Sequence, residues 1–60
     1  MVELSARIRA EFEENPAMRL TEPQITRLFL LDPVVCTTIL SALVDSGFLV
    51  RDRSNRYHKA

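Results

Sequence analysis

Asp32-Pro33-Val34-Val35-Cys36-Thr37-Thr38-Ile39-Leu40-Ser41-Ala42-Leu43-Val44-Asp45-Ser46-Gly47 reads as a helix with both of its ends written into it. Asp32 is a favoured N-cap, and Pro33 stands at the first helical position, where a missing N–H is not needed. Cys36, Ile39, Leu40 and Leu43 recur at i, i+3, i+4 and i+7, with Val35 and Val44 flanking, so one face is core. Val34, Thr38, Ser41 and Asp45 lie opposite. Gly47, the only glycine in the chain, follows as the left-handed residue that closes a helix. Phe48 is placed to fold back onto the last turn in a Schellman arrangement.

The segment before it carries an equally strong start signal. Thr21 is an N-cap, Gln24 completes a capping box, and Leu20 with Ile25 forms a hydrophobic staple. Pro23 falls in the first turn, where proline is tolerated. The expected helix runs from Glu22 to about Phe29, with Ile25, Leu28 and Phe29 inward and Thr26 and Arg27 outward. Further upstream, Leu4, Ile8 and Phe12 recur every four residues between charged positions, predicting an amphipathic helix over 2–14 that Asn15-Pro16 stops. After Gly47, Phe48-Leu49-Val50-Arg51 is β-prone. Arg56-Tyr57-His58 can pair with it across Asp52-Arg53-Ser54-Asn55, with Asn55 suited to a left-handed closing position.

Sixty residues leave room for one domain only, residues 1–60, at the small end of what folds around a single core. Hydrophobic residues at 47% and charged residues at 27% place the chain among folded proteins rather than disordered ones. The longest uninterrupted apolar run, Leu28-Phe29-Leu30-Leu31, is far short of a membrane span, and no basic-then-apolar leader opens the sequence. A soluble, cytoplasmic protein is expected. Cys36 is the only cysteine, so neither an internal disulfide nor a multi-cysteine zinc site is available.

The sequence offers no nucleophile–base pair, no phosphate-cradling glycine loop and no metal-ligand spacing. No catalytic residue, cofactor or metal is therefore expected, and the chain does not read as an enzyme. Glu11, Glu13 and Glu14 read as a solvated helix end, Cys36 as a small core residue, and His58 as a strand residue without companion ligands. The formal net charge is zero, yet its distribution is uneven. Residues 51–60 hold Arg51, Arg53, Arg56 and Lys59 against Asp52 alone, while the rest of the chain is net acidic. All the positive excess sits in the last ten residues.

The order of helix, capped short helix, tight turn, longer helix, glycine and hairpin resembles a winged helix-turn-helix domain. In residues, Leu20-Thr21-Glu22-Pro23-Gln24-Ile25, Leu31-Asp32 and Ile39 through Val50 are similar to the second helix, recognition helix and first wing strand of bacterial regulators of the IclR and MarR kind. The resemblance covers roughly residues 4–58. It implies a mainly α, three-helix fold with a short C-terminal β-hairpin, and transcriptional regulation through double-stranded DNA as the function. Carried over by position, Val34, Thr37, Thr38 and Ser41 would face bases in the major groove, and Arg51, Arg53 and Arg56 would contact phosphates. The chain departs from the pattern at Pro33, Val34 and Val35, where such regulators place polar or basic residues, and at Leu30, a turn position often given to glycine.

The alternative is a winged-helix module that binds a protein partner or a second copy of itself instead of DNA. On that reading the weakly charged face around Leu30, Val34 and Thr38 is the docking surface, unless Leu30 packs under the first helix. The first helix itself is the candidate surface for a homodimer. The wing arginines have their own plainer reading, a solvated turn with a local pair to Asp52.

Overall fold

A computed structural model describes residues 2–60. The elements follow in the order α1 (Val2–Glu14), β1 (Leu20–Thr21), α2 (Glu22–Leu28), α3 (Pro33–Asp45), β2 (Leu49–Arg51) and β3 (Arg56–Lys59). Three helices and a C-terminal hairpin joined to a third short strand make this a winged helix-turn-helix.

Local chemistry sets each helix boundary. The α1 helix ends where Asn15 donates from both its backbone N–H and its side-chain amide to the Glu11 carbonyl, at 3.0 and 3.2 Å, before Pro16 turns the chain away. The capping box of α2 is complete: Thr21 Oγ1 accepts from the Gln24 N–H at 3.4 Å, and Gln24 Oε1 accepts from the Thr21 N–H at 2.9 Å. At the start of α3 the Asp32 carboxylate accepts from the Val34 N–H at 2.8 Å.

Two helices close with the same Schellman pair of backbone hydrogen bonds. In α3, Phe48 N–H reaches the Leu43 carbonyl and Gly47 N–H reaches that of Val44, with Gly47 at φ +82°. In α2, Leu31 N–H reaches the Thr26 carbonyl and Leu30 N–H reaches that of Arg27, with Leu30 at φ +53°.

The sheet has β3 at its centre. Antiparallel pairing sets Leu20 opposite Tyr57 and Thr21 opposite Arg56 on one side, and Leu49 opposite Lys59, Val50 opposite His58 and Arg51 opposite Tyr57 on the other. The strand β1 was not expected. Two residues are too few for an alternating pattern, and Thr21 already serves as the α2 N-cap.

Ile8, Phe12, Ile25, Cys36 and Leu40 are completely buried, and Ile39, Leu43, Leu49 and Tyr57 nearly so. Each large apolar side chain taken fully out of water stabilises by about 1.5–3 kcal/mol, and in so small a domain this one cluster carries the fold. Arg9 closes its rim, with its guanidinium 4.9 Å from the centre of the Phe48 ring.

Ile8 and Phe12 lie wholly inside and Leu4 packs against them, so the apolar stripe of α1 belongs to the core. Two expectations are corrected by this packing. Leu30 does not pack under α1; it is 91% exposed. Leu28, expected inward, is 57% exposed, while Thr26 is half-buried with its hydroxyl donated to the Glu22 carbonyl at 2.9 Å. The Schellman turn explains the exchange: the chain folds back at Leu30, and Leu31 packs against the core.

Candidate nucleic-acid interface

The outward side of α3 carries Val34, Thr37, Thr38 and Ser41, all exposed. Val34, Thr38 and Ser41 follow one another at i, i+4 and i+7, and Thr37 stands beside them. Both threonine hydroxyls are already engaged. Thr38 donates to the Val34 carbonyl at 2.9 Å. Thr37 lies 3.0 Å from the Pro33 carbonyl and also hydrogen-bonds the carboxylate of Glu22, fifteen positions earlier on α2. Residues 33–45 include no lysine, arginine, asparagine or glutamine. The N-terminus of α3, a natural anion site, is taken by Asp32.

The wing is built around a second aspartate. Asp52 Oδ1 accepts from the N–H groups of Ser54 at 2.8 Å and Arg56 at 3.0 Å, and its backbone N–H donates to the Arg56 carbonyl at 2.9 Å. Asn55, at φ +60°, takes the left-handed position expected for it. The Arg56 amide acts most strongly on the Asp52 carboxyl; desolvation opposes it and comes second, and the Ser54 amide with the positive charge of Arg19 tips the balance, so the carboxyl is held below its ordinary range.

The ionic partner of Asp52 is Arg19, 3.6 Å away, and this is the one ion pair among the described residues. The expected local pair between Asp52 and a wing arginine therefore does not form. Arg51 is held by its neighbour instead, its Nε and Nη2 donating to Asn55 Oδ1 at 3.1 and 2.8 Å. Arg53 and Arg56 are exposed, without a carboxylate partner. Arg19, which sequence reasoning passed over, joins this basic edge because it leads directly into β1, beside the centre strand of the sheet.

The wing and the α3 face are linked through Glu22. Arg51, Asn55 and Tyr57 line a hollow together with Thr21, Glu22 and Pro23 at the start of α2, and Glu22 in turn touches Thr37 on α3. A second hollow, mostly apolar, lies between α2 and the start of α3, bordered by Glu22, Pro23, Thr26, Arg27 and Pro33. Compared with known proteins, the chain matches no protein-family model, no curated protein and no solved structure. The candidate surface consists of an arginine-bearing wing and a helix face of methyl and hydroxyl groups, connected through Glu22.

Outside this surface the remaining chemistry is muted. Cys36 is buried, with its Sγ 4.0 Å from the Glu22 carbonyl, and burial pushes its thiol up from the ordinary range. No cluster of three metal-ligating side chains occurs among the described residues. Around the helix-turn-helix bend, Leu30, Val34 and Leu28 leave an apolar surface that the core does not cover.

Proposed function

We propose that this chain is a small DNA-binding winged helix-turn-helix protein with a regulatory role in transcription. Its wing grips the phosphate backbone through Arg51, Arg53 and Arg56, while Arg19 balances the charge of Asp52. The exposed face of α3, with Val34, Thr37, Thr38 and Ser41, is presented to the major groove.

The observation that carries this reading is the state of the charges in the wing. Asp52, the only acid there, has its carboxylate directed to loop amides and to Arg19, so the wing guanidinium groups keep their charge for an outside anion. A loop stiffened by its own hydrogen bonds also loses little conformational freedom on gripping a phosphate. Affinity of this kind comes from counterion release and falls steeply with salt. A two-fold pair of copies would double the phosphate contacts on adjacent half-sites.

Fluorescence anisotropy of mixed-sequence duplex DNA over a range of salt concentrations tests the reading. The wild type should bind at low salt, and changing Arg51, Arg53 and Arg56 together to alanine should make the slope of log K against log salt shallower by about three. A protein that binds no duplex even at low salt would overturn it. That outcome would favour a second reading, a protein-interaction winged helix, for which the observation is the exposure of Leu30 (91%) and Val34 (73%) at the bend.

A further inference from the structure

The chemistry left on α3, taken together with the DNA-binding reading on which this step rests, narrows the class of sequence the protein would choose. We propose that α3 selects A·T-rich duplex through contacts with thymine methyl groups, led by Val34.

Each base pair shows the major groove a distinct edge, and reading each edge needs particular side chains. Guanine displays two acceptors, N7 and O6, read best by arginine or lysine. Adenine is read in bidentate fashion by asparagine or glutamine. None of these four residue types occurs in residues 33–45. Arg27, which borders the same hollow as Pro33 at the start of α3, belongs to α2, which in this architecture crosses the phosphate backbone. The Gln24 side chain is tied into the capping box.

The threonines narrow the choice further. A hydroxyl has one proton to donate, and those of Thr37 and Thr38 are directed to the carbonyls of Pro33 and Val34 and to the Glu22 carboxylate. What they offer outward is a methyl group and oxygen lone pairs. Val34, 73% exposed, offers only methyls. Lone pairs, and the negative charge of Glu22 beside Thr37, are repelled by the acceptor-rich edge of guanine. Ser41 serves any edge and does not discriminate. Each base pair also shows one amino group, cytosine N4 or adenine N6, that these acceptors can meet, so the feature that separates A·T from G·C for such a face is the C5 methyl of thymine.

The test compares binding to four duplexes of equal length: alternating A·T, the same duplex with deoxyuridine replacing thymidine, G·C, and G·C with 5-methylcytosine. Uracil pairs as thymine does and leaves the minor-groove edge unchanged, so its only deletion is the methyl. This separates α3 from wing arginines that favour a narrow A·T minor groove. The A·T duplex should bind about fourfold more tightly than its uracil counterpart for each methyl taken out of water, and 5-methylcytosine should recover a similar factor in G·C. Val34→Ser, at an exposed position, should shrink the thymine-over-uracil ratio while leaving the salt slope as in the wild type. Wing-dependent binding with equal affinity for the thymine and uracil duplexes would overturn the proposal and leave the DNA-binding function standing. Absence of binding to all four duplexes at low salt would overturn both.

Discussion

The α2 and α3 helices end with the same pair of backbone hydrogen bonds and differ in the residue at their centre. At the end of α3 the left-handed residue is Gly47, at φ +82°, where a Cβ would meet nothing within 4 Å. At the end of α2 it is Leu30, at φ +53° and 91% exposed. A left-handed conformation costs a Cβ-bearing residue about 1–2 kcal/mol. Glycine closes α3 without that cost. Leucine closes α2 while also giving up burial of its own side chain, so two local preferences are violated at one position. Such violations concentrate where a surface has a use beyond stability, and Leu30 stands between the two helices of the helix-turn-helix. The difference teaches that the same turn is closed at the end of α3 by the residue that suits it, whereas at the end of α2 it is closed by one that leaves a large apolar side chain in solvent.

Exchanging the two residue types tests this contrast. Gly47→Ala should destabilise the domain by about 1–2 kcal/mol, because φ +82° lies beyond the window of about +50° to +70° open to a residue with a Cβ. The cost is conformational alone, since the added methyl has open space. Chemical denaturation would show it as a lowered midpoint with an unchanged slope.

Leu30→Gly should have a smaller effect of opposite sign, a gain of about 0.5 kcal/mol, because φ +53° is already inside that window and glycine loses more entropy on folding. The same denaturation series checks it. A loss of stability instead, growing with protein concentration, would mean that Leu30 is covered by a second copy in solution and would break the contrast in favour of an interaction surface.

The helix limits were legible because caps are local chemistry. Thr21 with Gln24, Asp32 with Pro33, and Gly47 with Phe48 each act within a few positions, so their meaning survives without knowledge of the fold. Leu28 was misplaced because α2 is two turns long. With so few residues, periodicity does not decide whether Leu28 or Leu31 faces inward, and the turn at Leu30 decides it. The candidate site was legible as residue types at exposed positions on a helix and a wing. Its electrostatics were not, because they depend on tertiary neighbours: Glu22 meets Thr37 only when α2 packs on α3, and Arg19 meets Asp52 only when β1 pairs with β3. No spacing in the chain announces either pairing.

The wing has a third left-handed residue, Asn55 at φ +60°, and its turn differs from both helix ends in being held by a titratable group. The Asp52 carboxyl lies below its ordinary value of 3.8, chiefly because the Arg56 amide donates to it. A depressed folded pKa means that the unfolded chain takes up the proton first as pH falls. The contribution of Asp52 is therefore complete well above 3.8 and is lost as the pH drops through the lower folded value. The helix ends, closed by backbone groups alone, have no such dependence built into them. An NMR titration should place the Asp52 carboxyl midpoint below 3.8. At neutral pH, Asp52→Asn should speed amide exchange at Ser54 and Arg56 while leaving that at Leu31 and Phe48 as it was. The effect on overall stability should be the smallest of those considered, since the group is close to solvent and its charge is screened. A midpoint at or above 3.8, or equal acceleration at all four amides, would show that the wing turn is held in the same way as the helix ends, and the stiffened arginine loop on which the proposed phosphate grip depends would lose its support.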